Sequence, residues 1–137
     1  MKTYVLDACA IIAVLYGEDG ASVVKAASDE VDKGMAPIII HKANLLEIYY
    51  DLLRSLGKDR TDIIMAEIKK RPIRINAEIS DEIFVEAGQL KSSYKISFAD
   101  SFALAQAKVS GGVLLTSDHH EFDVIQGKED IDFAWIR

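Results

Sequence analysis

VLDACAIIAVL, residues 5–15, predicts the first strand and helix of the chain and raises the first chemical question. This stretch holds one charged residue, Asp7, in otherwise apolar surroundings. Residues 3–6 are short, apolar and partly β-branched, which is typical of a buried strand. The alanine-rich run Ala8–Tyr16 predicts a helix that ends at Gly17. Because an unpaired carboxylate is costly to desolvate, Asp7 needs a compensating partner at the junction of strand and helix.

The same alternation of strands and helices continues along the chain. Short apolar runs predict further strands at residues 37–40, 72–75, 113–116 and 133–136. Helical spacing and stop signals predict helices from about Val23 to Gly34, over 43–56, at about 60–70, from the N-cap Ser80 to Tyr94, over Phe98–Ser110 and near 120–126. Strands that alternate with helices predict a parallel sheet covered on both faces. With no internal repeat or linker, we expect one α/β domain over residues 1–137.

Composition agrees with an ordinary globular domain. The 137 residues are 50% hydrophobic, which suffices for a core without cross-links. No stretch is long and apolar enough for a transmembrane helix, and only four residues separate Lys2 from Asp7, too few for a signal peptide. Cys9 is the single cysteine, which excludes an intramolecular disulfide and disfavours a cysteine-based metal site. We therefore expect a soluble cytoplasmic protein.

The charge is acidic overall but unevenly spread. Sixteen basic and 22 acidic residues give a formal net charge of −6, which argues mildly against nucleic-acid binding through bulk positive charge. Basic residues concentrate between Arg54 and Arg74, where only Asp59, Asp62 and Glu67 are acidic. This run is either a local basic patch or the solvated faces of two surface helices.

Three carboxylates are predicted at one edge of the sheet. Ligands of open parallel sheets bind beyond the carboxyl ends of the strands. Asp7 directly follows the first strand, and Asp118 follows the fourth strand after one residue. Asp100 begins a helix whose wheel places Phe98 on a buried face and leaves only the side from Ser101 to Lys108 solvated. The three acids converge if the first and fourth strands are neighbours.

Each acid also has a local explanation. Asp7 is placed to cap the helix that follows it, Ser97 and Asp100 resemble a capping box, and Asp118 is placed in a turn. Convergence of all three on one edge is less expected from local roles alone. Carboxylates that share a pocket repel each other, and a divalent cation relieves the repulsion. An all-oxygen ligand set selects Mg²⁺ or Mn²⁺, which supports phosphate chemistry.

Four blocks of sequence resemble the signature blocks of a PIN domain, in particular of the VapC-type toxins. The blocks are VLDACA at 5–10, Asn44-Leu-Leu-Glu47, SFADSFALAQA at 97–107 and VLLTSDHHEF at 113–122. The resemblance implies a three-layer α/β fold whose parallel sheet of four to five strands has the order 3-2-1-4-5, with helices on both faces. This order makes the first and fourth strands neighbours.

The resemblance also implies the site residues. Asp7, Glu47, Asp100 and Asp118 correspond to the family's catalytic acids, which hold one or two Mg²⁺ or Mn²⁺ ions. We expect Asp7, Asp100 and Asp118 to bind metal. Glu47 enters only through the resemblance, because the helical wheel places it opposite the apolar seam, where a solvated residue is the ordinary interpretation.

Small polar residues near these acids are candidates for orienting them. Asn44, Thr116 and Ser117 stand at strand and helix ends, where they either hold carboxylates and water or act as local caps. Cys9 departs from the family pattern, which usually has Ser or Thr there. Three interpretations of Cys9 are open. Its thiol is a weaker hydrogen-bonding substitute for the usual hydroxyl, it has a lowered pKa at the start of a helix, or it is simply a small buried side chain. The three histidines lack metal-ligand spacing and are left out of the site.

The resulting hypothesis is a metal-dependent endoribonuclease, the toxin of a VapBC-type toxin–antitoxin pair. Arg54 and Lys58 are expected to contact RNA phosphates. The resemblance implies a homodimer and a small antitoxin partner, with no membrane. The alternative is a non-catalytic PIN-like module whose acidic groove holds a basic protein segment. A phosphotransfer receiver domain is disfavoured, because Ala8 follows Asp7 where that family has a second acid, and FAWIR offers no lysine after the last strand.

Overall fold

Five parallel strands form one sheet in the order β3-β2-β1-β4-β5, as the resemblance implied. The structure is a computed structural model that describes residues 3–17, 21–32 and 37–136. Its strands are β1 (Tyr4–Leu6), β2 (Ile38–His41), β3 (Arg74–Asn76), β4 (Val113–Thr116) and β5 (Asp132–Trp135). The order differs from the 2-1-3-4-5 order of receiver domains.

Helices fill every connection between strands. They are α1 (Ala8–Tyr16), α2 (Ala21–Asp32), α3 (Lys42–Leu56), α4 (Lys58–Lys69), α5 (Asp81–Ser93), α6 (Phe98–Ser110) and α7 (His119–Phe122). The predicted bounds of α1 and α6 are confirmed, whereas the predicted stop of α2 at Gly34 lies outside the described residues. Among the described helices, none is long and apolar enough to cross a membrane.

Alternation along the strands divides the core into two layers. In β1, Tyr4 and Leu6 pack into the cluster that α1, α3 and α4 cover, while Val5 packs into the cluster beneath α5 and α6. All three β1 residues are buried, as expected for a central strand of a parallel sheet. The sheet therefore holds the end of β1, where Asp7 follows, between two packed layers.

Two glycines before β4 fix its start beside β1. Gly111 ends α6 with a φ of 62°, a left-handed conformation that favours glycine. A Cβ on Gly112 would lie 2.9 Å from the Thr3 carbonyl oxygen and 3.2 Å from Val5. This close approach aligns β4 with β1, so the carboxyl ends of both strands lie at the same edge.

Several predicted boundaries differ from the structure, those of the strands by one or two residues and the end of the last helix by four. The strands predicted at 37–40, 72–75 and 133–136 lie at Ile38–His41, Arg74–Asn76 and Asp132–Trp135, and the helix predicted near 120–126 is His119–Phe122. Pairing with neighbouring strands sets the limits of each strand. The register joins Ile39 of β2 to Arg74 of β3, and Val113 of β4 to Asp132 of β5. Local composition does not encode such register.

Two helix faces also differ from the prediction. Phe98, predicted on a buried face of α6, is 71% exposed, and Phe84 on α5 is likewise 70% exposed. Ser101, predicted to be solvated, is buried, because its hydroxyl donates to the Phe98 carbonyl at 2.6 Å and so needs no water. Lys108 is half-buried and forms ion pairs with Glu86 and Glu129, each at 3.1 Å.

Candidate metal centre

The ends of β1 and β4 bring Asp7 and Asp118 to one edge of the sheet. Leu6 pairs with Leu115, so Asp7 stands beside Thr116, the next residue of β4. The Thr116 hydroxyl donates to Oδ2 of Asp7 at 2.5 Å. It also accepts a hydrogen bond from the Asp118 backbone N–H at 3.0 Å. Thr116 therefore connects the two carboxylate-bearing segments directly.

The buried carboxylate of Asp7 accepts hydrogen bonds from three donors. Its side chain caps α1 by accepting from the Ala10 N–H at 3.1 Å, and the Cys9 thiol donates to the same oxygen at 2.9 Å. Burial raises the pKa of Asp7, and the charge of Asp118 adds to the increase, whereas the bonds from Cys9, Thr116 and Ala10 oppose it. Asp7 therefore both caps α1 and lies among neighbouring acids.

Asp100 lies in the first turn of α6. The Ser97 hydroxyl caps this helix by accepting from the Asp100 N–H at 3.1 Å. Desolvation raises the pKa of Asp100 to about 7, with further increases from Asp118, Glu47 and Asp7 and an opposing hydrogen bond with Ser97. The predicted cap by Ser97 is confirmed. The pKa of Asp100 is also raised by the charges of three other acids.

Glu47 lies on α3 and is half-buried. Desolvation raises its pKa most, followed by the charges of Asp51, Asp7 and Asp118. The helical wheel of α3 placed Glu47 on the solvent side. A wheel describes the periodicity of one helix and does not show which other helices or strands pack close to it. Asp7, Glu47, Asp100 and Asp118 thus form one electrostatically coupled group, here called the carboxylate cluster.

Asn44 links the two helices that carry Glu47 and Asp100. Its side chain is fully buried and donates from Nδ2 to the Ala99 carbonyl at 2.9 Å. Since a carbonyl only accepts, this bond fixes which end of the amide faces α6. The remaining Oδ1 is buried and has no hydrogen-bond partner in the part of the chain that the structure describes.

Cys9 occupies the hydroxyl position as a bonded neutral thiol. Besides donating to Asp7, its sulfur accepts from the Ser117 backbone N–H at 3.3 Å and from the Ser117 hydroxyl at 3.4 Å. Desolvation and the charge of Asp7 raise the pKa of Cys9 to about 12. The expectation of a lowered pKa at the helix start is therefore wrong, because burial beside a carboxylate outweighs the helix terminus.

The composition of the carboxylate cluster fits a hard divalent cation. No ion pair among the described residues includes any of the four acids. Negative charges within the cluster contribute to the raised pKa values of Asp7, Glu47 and Asp100, and a cation would relieve this repulsion. Carboxylate oxygens are the donors that Mg²⁺ and Mn²⁺ prefer. Within residues 3–17, 21–32 and 37–136, however, no three His, Cys, Asp or Glu side chains are already arranged to hold a metal. A cation would therefore have to draw the acids inward.

The predicted RNA contacts lie on α3 and α4. Arg54 is two helical turns from Glu47, about 10 Å along α3, and its guanidinium lies 5.1 Å from the centre of the Tyr50 ring. Lys58 is exposed and pairs with Asp62 at 2.6 Å. Because ion pairs between exposed side chains are weak, this pairing does not prevent Lys58 from contacting a phosphate.

Two histidines that sequence reasoning left out have defined roles. His41 is buried at the end of β2 and caps α3, with Nδ1 accepting from the Ala43 N–H at 3.0 Å and Nε2 donating to the Glu78 carbonyl at 2.9 Å. The ring of His119 stacks on Trp135 beside Asp118. The position of His41 directly before a helix was a usable signal, whereas the stacking depends on strand pairing.

Comparisons with known proteins agree with this fold. A family model described as PIN domain matches residues 4–128. No curated protein matches the chain by sequence. Among solved structures, VapBC2 from Rickettsia felis bound to a promoter DNA fragment has a TM-score of 0.75 and 16% identity, covering 97% of this chain and 98% of that one.

Two further structures show the same fold. DNA-bound VapBC from Salmonella typhimurium has a TM-score of 0.75 and 17% identity, with both chains fully covered. Mycobacterium tuberculosis VapC20, described as a toxin that cleaves the sarcin–ricin loop, has a TM-score of 0.59 and 16% identity, covering 81% of this chain and 86% of that one.

Proposed function

This chain belongs to the PIN domain family, and from this premise we propose that it is a Mg²⁺- or Mn²⁺-dependent endoribonuclease, the toxin of a VapBC-type toxin–antitoxin pair. The observation that carries the proposal is the carboxylate cluster, four coupled acids at one sheet edge without a basic partner among the described residues. Two of the similar solved structures support the proposal: VapC20 supports RNA as the substrate, and VapBC2 supports the pairing with an antitoxin.

In this proposal, each acid has a defined task. Asp7, Asp100 and Asp118 would hold the ion through carboxylate oxygens, and Glu47 would hold it directly or through water. Such an ion would supply an activated water and neutralise charge on the phosphate. Thr116 and Cys9 donate to the two oxygens of Asp7, which favours the ionised carboxylate and fixes its orientation. The buried position of Asp7 limits competition from bulk water.

RNA binding is proposed to depend on local positive charge. The chain carries a net charge of −6, so phosphate contacts must come from a restricted surface. Arg54 and Lys58 are proposed to hold the strand through its phosphates, which positions RNA without reading sequence. The carboxylate cluster, which has no basic partner among the described residues, suits a basic inhibitory segment of a small antitoxin.

A second copy of the chain is proposed to cover exposed apolar residues. Ile79, Phe84 and Phe98 are 57%, 70% and 71% exposed. Two of these residues, Ile79 and Phe98, have neighbours that contact His41. Its Nε2 donates to the carbonyl of Glu78, next to Ile79. Its ring contacts Phe102, on which Phe98 packs edge-on. Sedimentation of wild type and Phe98→Ser tests this proposal: a dimer that dissociates in the variant supports it, and a monomeric wild type contradicts it.

Cleavage of RNA with and without Mn²⁺ tests the proposed activity. Wild type should cleave only with the ion, and Asp118→Asn should not cleave. The matched control is Asp132→Asn, because Asp132 lies at the amino end of β5, the opposite edge of the sheet. The alternative, a non-catalytic PIN-like module that holds a basic protein segment, predicts an intact fold and no metal-dependent cleavage by wild type. That result would overturn the proposal.

A further inference from the structure

A stack of three aromatic rings lies beside the carboxylate cluster. The His119 and Trp135 rings are stacked, with centres 3.9 Å apart and planes 16° apart. Trp135 in turn stacks on Phe133, with centres 5.3 Å apart and planes 8° apart. We call His119, Trp135 and Phe133 the aromatic stack. It runs from the core layer beneath α6 to the surface at the first residue of α7.

The fold places the outer end of this stack next to the site. His119 directly follows Asp118, so their Cα atoms are about 3.8 Å apart. Trp135 pairs in register with Thr116, the residue that donates to Asp7. The aromatic stack and the carboxylate cluster therefore share the same edge of the sheet and adjacent positions along β4 and β5.

A ring stacked on one face and a polar contact at the ring edge hold His119 in this orientation. Its Nδ1 lies 2.8 Å from Oδ1 of Asp123, one helical turn along. The fully buried Phe122 anchors α7 and packs against Phe133, with ring centres 6.0 Å apart. The His119 side chain nevertheless keeps 47% of its surface exposed. This exposed surface directly follows Asp118 along the chain and so lies beside the carboxylate cluster.

We propose that the aromatic stack is a base-stacking subsite, in which an unpaired RNA base next to the scissile phosphate packs on His119. The inference rests on the proposed ribonuclease function and adds how the substrate is held. Aromatic side chains that already stack on one another extend readily by one more ring, and every base has a stacking face. The acids repel phosphates, so an apolar contact that does not depend on charge is a suitable anchor here.

The subsite implies a class of substrate. Bases within a duplex are already stacked on their neighbours, whereas bases in loops, bulges and single strands are free to pack on a protein ring. Because stacking tolerates any base, the subsite selects single-stranded RNA with little preference for sequence. Sequence preference, where present, has to come from other contacts.

Binding of a short, labelled oligouridylate measures the subsite directly. The measurement is made by fluorescence anisotropy at low salt with EDTA, so that no cleavage occurs and phosphate contacts remain strong. His119→Ala should weaken binding by about 5- to 150-fold, the range that loss of one stacked base gives. His119→Phe should retain most of the affinity, because it keeps a flat ring. The matched control is His120→Ala, an exposed neighbour that should bind like wild type.

An abasic oligonucleotide of the same length separates stacking from other effects. Wild type and His119→Ala should bind it equally, since it offers no base to stack. Equal affinity of wild type and His119→Ala for oligouridylate would overturn the inference. So would an equal loss of affinity for both oligonucleotides, or absence of oligouridylate binding by wild type. Because the assay needs neither metal nor cleavage, a failure of the proposed nuclease activity leaves this result separately readable.

Discussion

Thr116 donates its hydroxyl to Oδ2 of Asp7 while its oxygen accepts from the Asp118 backbone N–H. One side chain at the end of β4 thus fixes both the carboxylate that follows β1 and the segment that follows β4. The relationship depends on the parallel pairing of β1 with β4, which places Leu6 beside Leu115. The geometry of the proposed metal centre is therefore a direct consequence of strand order.

Replacing Thr116 with valine should weaken metal binding with little change in shape. The substitution removes the donor to Asp7 and keeps the branched side chain. Loss of a hydrogen bond that orients a metal ligand typically reduces affinity by about 10- to 100-fold. Titration calorimetry with Mn²⁺ measures this effect. Thr116→Ser keeps the hydroxyl and should stay within a few-fold of wild type; equal affinity of the valine variant and wild type would refute the role of Thr116.

The Cys9 thiol should react slowly with thiol reagents at neutral pH. Its pKa is raised to about 12 from the ordinary 9.0, so very little reactive thiolate is present. We expect labelling of the metal-free folded protein by a disulfide reagent to be at least about 100-fold slower than labelling of the unfolded chain. Comparable rates in the two states would contradict the bonded, neutral thiol that the structure shows.

The metal-free protein should lose stability as pH rises from about 4 to about 8. The pKa of Asp100 is about 7 when folded against 3.8 ordinarily, so the folded state holds a proton that the unfolded chain releases in this window. The free energy of unfolding therefore falls with rising pH, and the loss is complete above the folded pKa. The raised pKa values of Asp7 and Glu47 act in the same direction.

Urea unfolding with EDTA at about pH 5 and about pH 8 measures this dependence. Asp100→Asn should reduce the difference between the two pH values, because it removes one of the titrating groups. Added Mn²⁺ should stabilise wild type most at the higher pH, where the carboxylates are ionised. Stability that rises with pH in the metal-free protein would contradict the electrostatics of the carboxylate cluster.

Asn44→Ala should lower the free energy of unfolding by about 1–3 kcal/mol. The variant leaves the Ala99 carbonyl without its buried donor, and this range is typical of an unsatisfied partner. Thermal or urea unfolding provides the measurement. Lys42→Ala, on an exposed position of the same helix, should change stability by less than about 0.5 kcal/mol. A similar effect of both variants would show that the bond between α3 and α6 is unimportant.

Local chemistry made part of the fold predictable. The limits of α1 and α6 follow from Gly17 and Gly111, which adopt φ values of 61° and 62° that end helices. The position of β3 was missed by up to two residues, because an edge strand is defined by its register with β2. The burial of Ser101 was missed because one hydrogen bond to its own helix satisfies it.

Within the site, the residues differ in how far their surroundings can be read from sequence. The convergence of Asp7 and Asp118 follows from their places after strands, once those strands are neighbours. Glu47 has no such signal, because a solvated helix face and a groove face have the same periodicity. The His119 stack was not predictable either, since it requires the pairing of β4 with β5 to place Trp135 beneath it.

Titration calorimetry of Mn²⁺ into wild type, Asp7→Asn and Asp132→Asn measures whether the carboxylate cluster binds a metal ion. Asn caps a helix as well as Asp does, so Asp7→Asn removes the charge while the start of α1 is retained. We predict that wild type and Asp132→Asn bind Mn²⁺ alike and that Asp7→Asn loses at least about tenfold in affinity. Absence of binding by wild type, or equal affinity of Asp7→Asn and wild type, would contradict a metal centre at the carboxylate cluster.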